Sequence, residues 1–529
     1  MDRTRRELKS NSIFLRLFLV RTTILNNFSA TPIIDTDRAA PRHSAPEVPS
    51  RWPNATLLFW SVGLGMLAVL WFVFSYGYIE DDAFIHLEFA RSVAEGHGFT
   101  FNGLVTNGDT APAWVLVLAA LHTIGLDWVE CAKLACALGL ISTVLAVIYL
   151  VRDLVSDEAR AQTLALAAVT VTVLNPYFVH WSFSGMESVT AIGVSLWAIR
   201  AAFAQSPSWK RLLTAAALLG VGPLLRPELL LLAGTGAPVV LWRCWRLQPH
   251  ASRATRWSRL ALLAGLMALP LIAWCMYAQL TFGSPIPNTN MAKRGGPLAQ
   301  VAPRLAVVYA AGFPVTLALF PLAAFVRYLR GKPVPLIVWV LAVWPVLCVL
   351  FYLADHTLVQ TRYCLLSMPC LSVVTLWLIE AEDRPIHLRA ATVAMVLVSL
   401  VTIVLTVVPH VENKKEGVRL FGQISVFLRD HVPRDAPVAV FAIGEIAFDS
   451  RHPLVDVGGI TRPEVIPLLG DPKATFQWAK RNSARYFISS TAPEPGAVPV
   501  FSTTMPYFGW TFGRARYGTG EPLVIYKLP

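Results

Sequence analysis

Three consecutive acidic residues follow a long apolar segment near the start of the sequence. Glu80, Asp81 and Asp82 come a few residues after the apolar run from Leu57 to Tyr76. About 20 apolar residues at helical rise span the hydrocarbon core of a bilayer, so these acids are predicted to lie where a membrane helix meets water. They are either a solvated helix end that caps the next helix or a chemical site.

A carboxylate at this place could act as a general base that takes a proton from an acceptor hydroxyl. Adjacent carboxylates on a regular helix cannot both point at one atom. One of the pair is therefore predicted to be the base, and the other a structural group or a ligand of a divalent cation such as Mg²⁺ or Mn²⁺. We favour Asp81 as the base and keep Asp82 open for the same role, and either could be the metal ligand. No certain cofactor follows from the sequence.

Composition and the spacing of apolar runs predict a polytopic α-helical membrane protein. Of the 529 residues, 55% are hydrophobic and 15% are charged, whereas about a quarter are charged in a typical soluble domain. Basic residues precede the first apolar run and follow every second one, which places the N-terminus and those loops in the cytoplasm. This pattern explains the net charge of +12 without nucleic-acid binding. About eleven spans are predicted, near 57–76, 130–151, 161–178, 187–203, 211–225, 228–243, 260–281, 304–327, 334–353, 363–380 and 390–409.

The chain is predicted to have three parts. Residues 1–53 form a disordered cytoplasmic tail, because they are polar and their short apolar stretch is interrupted by arginines. Residues 54–410 form the transmembrane domain, with interfacial helices on the outer side at about 82–126. An odd number of spans leaves 411–529 outside the cytoplasm as a small soluble α/β domain, in which Val438–Ile443 reads as a strand.

Charged clusters of five predicted external loops converge on one face of the membrane. Ionisable groups at membrane depth cost a few kcal/mol each, so they tend to mark sites. Arg226, Arg362 and Lys293 are the predicted phosphate ligands, because cationic side chains, and guanidinium above all, bind phosphate oxygens. Arg362 and Lys293 could instead be ordinary exposed charges of external loops. The supporting or substrate-binding candidates are His86, which could pair with Asp82 one helical turn away, Glu187, Glu228, Asn288 and Tyr363. The two glutamates could instead only complement the dipoles of the helices they open.

Several short motifs follow one another in a specific order between about residues 54 and 460. They are Asp81-Asp82-Ala83-Phe84-Ile85, Ala94-Glu95-Gly96-His97-Gly98-Phe99, Gly185-Met186-Glu187, Arg226-Pro227-Glu228, Pro287-Asn288-Thr289, Arg362-Tyr363 and Ile443-Gly444-Glu445-Ile446-Ala447. In this order they resemble the GT-C membrane glycosyltransferases that use polyprenyl-phosphate-linked sugars, and among these the AftB-like arabinofuranosyltransferase group. The resemblance implies an external Asp as base, a donor carried on a lipid phosphate and an inverting transfer to a hydroxyl. Asn290 stands where family members often carry an aromatic residue, which leaves the sugar and the acceptor open.

The predicted function is therefore sugar transfer in the bacterial inner membrane. A polyprenyl-phosphate donor would pass its sugar to a cell-envelope glycan or lipid acceptor on the extracytoplasmic face, among membrane lipids and without a nucleotide. A polytopic transporter or lipid flippase is the main alternative, and it predicts ionisable residues near mid-span. A membrane scaffold that binds glycan without catalysis is a third hypothesis.

Overall fold

The structure is a computed structural model that describes residues 55–294, 297–381, 385–490, 492–505 and 521–529. The predicted tail at 1–53 lies outside the described residues. By its contacts the chain divides into Met1–Leu58 and Phe59–Pro529. Every contact discussed below belongs to the second of these units.

Helices make up most of the described chain, as the apolar runs predict. The α-helices are α1 Ala55–Phe74, α2 Asp81–Ala94, α3 Pro112–Thr123, α4 Trp128–Leu154, α5 Glu158–Val173, α6 Pro176–Trp181, α7 Ser188–Phe203, α8 Trp209–Leu225, α9 Leu229–Arg246, α10 Arg253–Phe282, α11 Asn288–Lys293, α12 Leu298–Gly312, α13 Pro314–Leu329, α14 Leu336–Ala354, α15 Thr361–Leu365, α16 Met368–Glu380, α17 Pro385–Thr402, α18 Val408–His431, α19 Gly444–Ser450 and α20 Pro472–Arg481. The strands are β1 Thr100–Phe101, β2 Leu104–Val105, β3 Val438–Val440, β4 Leu454–Asp456, β5 Tyr486–Ser489, β6 Val498–Met505 and β7 Glu521–Lys527.

Several helices have the length and composition of membrane spans. Within the described residues, α4, α10, α14 and the continuous helical segment Pro385–His431 are long and apolar enough to cross a bilayer, and the bent pair α12 and α13 makes up to five. Four shorter apolar helices of 10–17 residues accompany them. The prediction of a polytopic helical membrane protein is confirmed, whereas the number of eleven spans stays a prediction.

Three of the predicted spans are interrupted. In the span predicted at 161–178, α5 ends at Val173 and Pro176 opens α6. The span predicted at 304–327 is a pair of helices bent by 87° at Phe313, where Pro314 opens the second helix. The span predicted at 363–380 consists of the short α15 and then α16, which has a proline in its first turn. Proline has no N–H to continue the preceding helix, so each of these breaks has a local cause.

The segment predicted to hold interfacial helices contains α2, a two-stranded hairpin of β1 and β2, and α3. Helix α2 begins at Asp81 and buries one continuous stretch from Ala83 to Ser92. Asp81 and Asp82 at its start are partly exposed and lie between the buried Glu80 and this buried stretch. The helix fixes the directions in which Asp81 and Asp82 point.

The C-terminal region is an α/β unit built on a five-stranded sheet in the order β4, β3, β5, β7, β6. Strands β3, β4 and β5 are parallel, and β7 pairs antiparallel with β5 and β6. The helical segment Pro385–His431, in which the π-helix Ile403–Val407 joins α17 to α18, runs continuously from a candidate span into this unit. The domain boundary predicted at 410/411 lies inside this helix, and the division into domains stays a prediction.

Candidate active site

Asp82 lies in a cavity of about 230 Å³ beside two cationic side chains. Its Oδ2 is 2.6 Å from Nη2 of Arg362 and 3.9 Å from Nζ of Lys293. Burial raises the pKa of the Asp82 carboxyl, but the charges of Arg362 and Lys293 outweigh burial and hold this pKa well below its ordinary range. Its side chain is 34% exposed. Asp82 is thus an ionised carboxylate that a molecule in the cavity can reach.

Asp81 points in a different direction and is held by the C-terminal unit. Its Oδ1 accepts a hydrogen bond from the Glu445 N–H at 2.9 Å and its Oδ2 one from the Gly444 N–H at 3.2 Å. These N–H groups open helix α19, so Asp81 caps that helix across the fold. Burial raises the pKa of Asp81 to about 6. Both oxygens of Asp81 are thus engaged by main-chain N–H groups, and which of the two acids is the base stays a prediction.

The contact at Asp81 requires a glycine at position 444. A Cβ added there would lie 2.0 Å from the main-chain oxygen of Asp81, so Gly444→Ala is expected to force α2 and α19 apart and to lower the thermal midpoint of the purified protein. Gly422→Ala is the matched control, because its Cβ would meet only Oε1 of Glu445 at 3.7 Å. Equal midpoints of the two variants would contradict the close approach at Gly444.

His86 belongs to a buried charged network and does not pair with Asp82 as predicted. Its Nδ1 is 2.6 Å from Oδ2 of Asp109 and its Nε2 is 3.4 Å from Oε2 of Glu187. Burial alone lowers the pKa of His86, but these two carboxylates raise it to about 10, so the imidazole is protonated. Asp109 was not identified from the sequence, and the only available signal was its place in the polar turn Asn107-Gly108-Asp109.

Arg226 donates three of its five N–H groups to two carboxylates. Its Nη1 donates to Oε1 of Glu187 at 2.8 Å, while Nη2 and Nε donate to Oε1 and Oε2 of Glu228 at 2.8 and 3.2 Å. The Tyr352 hydroxyl also donates to Glu228, at 3.0 Å. Burial lowers the pKa of Arg226, yet Glu228 and Glu187 raise it well above its ordinary value. The guanidinium is therefore positioned by the fold and has few N–H groups left for a phosphate.

Aromatic rings surround the two arginines. The Arg362 guanidinium lies 5.2 Å from the ring centroid of Trp181 and 5.7 Å from that of Tyr363. Arg226 lies 5.0 Å from the centroid of the same Tyr363 ring. Guanidinium groups over aromatic faces are stabilised by cation–π attraction. The Tyr363 ring thus contacts the guanidinium groups of both Arg226 and Arg362 and helps to hold them in place.

Lys293 and Asn288 lie on the short helix α11 but have different environments. Asn288 donates its main-chain N–H to the Asn107 carbonyl at 2.8 Å and its side-chain amide to Oγ1 of Thr106 at 3.1 Å. It therefore anchors α11 to the loop that carries Asp109. The Lys293 side chain is 32% exposed and faces Asp82, so its ammonium can still reach a ligand in the cavity.

The donor sets of the described residues do not fit a divalent cation well. Asp82 already faces the positive charges of Arg362 and Lys293. Glu80, His180 and His410 place potential ligand atoms within 4.8 Å of one another, but the Lys414 ammonium lies 2.8 Å from Oε2 of Glu80. Like charges repel strongly in a buried site. The predicted Mg²⁺ or Mn²⁺ at Asp81 or Asp82 therefore gains no support, and we derive no step through a metal.

A second cavity of about 850 Å³ borders the other side of the acidic pair. Asp81 and Glu445 line it, together with residues at the carboxyl ends of the three parallel strands: Val440, Phe441, Ala442, Val457, Ile488, Ser489 and Ser490. Ligands of open α/β sheets bind outside the carboxyl ends of the strands. Asp81 and Asp82, adjacent in the chain, thus face two separate cavities.

The chain combines apolar helices, a cavity lined by charged residues and a C-terminal α/β unit. This combination is that of a polytopic membrane protein, and two solved membrane-protein structures align with it. ArnT from Cupriavidus metallidurans bound to undecaprenyl phosphate aligns with a TM-score of 0.57 at 14% identity, covering 89% of this chain and 98% of ArnT. ArnT from the same organism in the apo state gives 0.55 at 15% identity, with the same coverage. The chain therefore shares the fold of ArnT.

Other comparisons are less informative. The arabinofuranosyltransferase AftD from mycobacteria, mutant R1389S, aligns with a TM-score of 0.42 at 14% identity, covering 88% of this chain and 41% of AftD. That score is too low to support the AftB-like group, which stays a prediction. Residues 410–517 match the family model Domain of unknown function (DUF8728). No curated protein matches the sequence.

Proposed function

We propose that this chain is a membrane glycosyltransferase that moves a sugar from a polyprenyl-phosphate donor to an envelope glycan or lipid acceptor. The observation that carries the proposal is the Asp82 carboxylate between Arg362 and Lys293 in an open cavity. The GT-C fold supports it, since ArnT of that fold was solved with undecaprenyl phosphate bound. A carboxylate and cations in one cavity supply both a base and charge stabilisation for a leaving phosphate.

In the proposed reaction Asp82 removes the proton from the acceptor hydroxyl as its oxygen attacks the anomeric carbon of the sugar. The bond between that carbon and the phosphate oxygen breaks, and its electrons leave with the polyprenyl phosphate. Lys293 and Arg362 stabilise the charge that develops there. Arg226, which Glu187 and Glu228 already bind, also lines the cavity, and its remaining N–H groups are a further phosphate contact in this proposal.

Donor binding would also activate the base. In the structure Arg362 holds the pKa of Asp82 low, which keeps the carboxylate ionised but makes it a weak base. A phosphate that draws the guanidinium toward itself would weaken this pairing and raise the pKa of Asp82. The base would then gain strength only when a donor occupies the cavity.

We assign the acceptor to the larger cavity above Asp81. A sugar has apolar faces and hydroxyl edges, and this cavity offers both aromatic rings and polar groups, among them Phe441, Phe476, Lys473 and Glu445. Asp82 lines only the smaller cavity, so in this proposal the reacting hydroxyl of an acceptor held in the larger cavity extends past Asp81 to Asp82. In the proposed orientation the N-terminus is cytoplasmic and this unit is extracytoplasmic, and a periplasm-dependent reporter fused after Pro529 is expected to be active.

The direct test uses purified protein in liposomes with a set of polyprenyl-phosphate sugars and candidate acceptors. Mass spectrometry should detect both free polyprenyl phosphate and the glycosylated acceptor. A transporter or flippase would move the lipid between leaflets and leave the sugar–phosphate bond intact. A scaffold would bind glycan and produce neither product. Movement or binding without cleavage, for every donor in the set, would refute the proposal.

The pH dependence of kcat/KM is expected to distinguish the two acids. With Asp82 as base, kcat/KM should stay nearly flat down to pH 5, because the low pKa keeps the free-enzyme carboxylate ionised. With Asp81 as base, kcat/KM should fall as the pH drops through about 6, where that carboxyl takes up a proton. The phosphodiester of the donor has no proton to exchange in this range. A fall centred near pH 6 that Asp81→Asn abolishes would return the base role to Asp81.

A further inference from the structure

One lysine lies buried in α4, a helix apolar enough to cross the membrane. Lys133 is 3% exposed, and its ammonium donates to the main-chain oxygens of Ser75 at 3.2 Å, Tyr78 at 2.5 Å and Phe183 at 2.6 Å. The ring centroid of Tyr78 is 5.9 Å from Nζ. A buried charge needs such compensation. Carbonyl oxygens replace its water here, as they do for a monovalent cation in a channel filter.

The carbonyl oxygens bound by Lys133 belong to two segments that carry the proposed site. Tyr78 stands shortly before Asp82, and Phe183 shortly before Glu187. Asp82 is the proposed base, and Glu187 binds the protonated His86 and Arg226. A single ammonium thus connects the segment of the base with the segment that organises the charged network.

The two segments also touch each other closely. The Glu80 N–H donates to the Ser184 carbonyl at 3.0 Å. Gly185 has a φ of +85° and lies so near α2 that a Cβ would come within 2.9 Å of Cβ of Ala83. Interfaces this tight do not deform continuously, so a shift of one segment displaces the other.

We infer that Lys133 is a positioning residue for sugar transfer, whose ammonium is a built-in cation that sets the distance between the Asp82 and Glu187 segments. Its effect on catalysis rests on the proposed function. The carbonyl–ammonium contact itself can be tested without any transfer activity, so failure of one claim is distinguishable from failure of the other.

The test is chemical rescue of Lys133→Ala. The substitution removes three methylenes and the ammonium, which n-propylammonium replaces. Without the amine, kcat is expected to fall about 100-fold, as for a displacement of about 1 Å of a reacting group, while the donor KM changes little. Purification with n-propylammonium should restore a large part of kcat. Tetramethylammonium at the same concentration should not, because it has no N–H to donate.

The second readout is the thermal midpoint in detergent. Propylammonium is expected to raise the midpoint of Lys133→Ala and to leave the wild type unchanged. Arg243→Met is the matched control, because Arg243 is also buried and donates to a main-chain oxygen, that of Ala204 at 2.5 Å, but lies outside the site. Its midpoint is expected to fall without a selective response to either amine.

Several outcomes would overturn the inference. One is wild-type kcat in Lys133→Ala, and another is an equal response of its kcat and midpoint to both amines. If that variant cannot be purified with either amine, Lys133→Met of similar volume takes its place, and wild-type kcat in the folded Met variant refutes the positioning role. If the wild type transfers no sugar, the proposed function fails, and selective stabilisation of Lys133→Ala by propylammonium still establishes the contact.

Discussion

Asp82→Asn is expected to lower kcat by about 10²- to 10⁴-fold, the range for loss of a general base. The amide cannot accept the acceptor's proton, although it fits the same space and can still accept a hydrogen bond from Arg362. The donor KM should rise little, because Lys293 and Arg362 remain. The measurement is single-turnover release of polyprenyl phosphate in liposomes.

Asp81→Asn is the matched control, one residue away on the same helix. Its amide can accept one of the two hydrogen bonds from Gly444 and Glu445, so we expect a loss of about tenfold at most, the effect of roughly one hydrogen bond. Thermal midpoints of both variants must show that they are folded. If Asp82→Asn keeps full transfer while Asp81→Asn loses it, the assignment of the base is wrong.

Arg226→Met is expected to cause the largest loss of stability of any single change in the site. It leaves Glu187 and Glu228 buried without their common partner, and breaking a buried pair in this way costs about 3–5 kcal/mol. The thermal midpoint of the purified protein should fall steeply. Arg152→Met is the control, because its pair with Glu158 is half-exposed and such surface pairs contribute about 0–1 kcal/mol.

A second substitution distinguishes an unpaired charge from lost packing. The double variant Arg226→Met with Glu228→Gln removes the charge of Glu228 and leaves only that of Glu187 without the arginine. Part of the lost stability should therefore return. Recovery in the double variant would show that the penalty is electrostatic. If the double variant is less stable than Arg226→Met, the loss comes from packing against Tyr363 and the ion-pair explanation is wrong.

The fold class followed from composition and apolar runs, because a bilayer imposes length and hydropathy directly on the chain. The sequence did not show which prolines break a helix. Pro314 breaks the 304–327 run, whereas Pro270 lies inside α10 without interrupting it. In the C-terminal unit the predicted strand Val438–Ile443 is present as β3. The sequence did not predict β6 and β7, which pair with each other and join the sheet through β5.

The residues of the site could be selected from the sequence, but their partners could not. Arg226, Glu187 and Glu228 were chosen because charge is expensive near a membrane. The ion pairs of Arg226 with Glu187 and Glu228 form only because α7 and α9 pack together in the folded chain. The different directions of Asp81 and Asp82 likewise depend on a tertiary contact, that of α19 with the start of α2.

The uninterrupted helical segment Pro385–His431 determines how the C-terminal unit could be exchanged between related proteins. An α-helix advances 100° and about 1.5 Å with each residue. The number of residues in this segment therefore sets the rotation of the C-terminal unit relative to the membrane helices. One inserted residue in this segment would rotate α19 away from Asp81, whereas seven would nearly restore its angle but lift it about 10 Å. Chimaeras therefore need their junction before Pro385 or after His431, with the helical phase conserved.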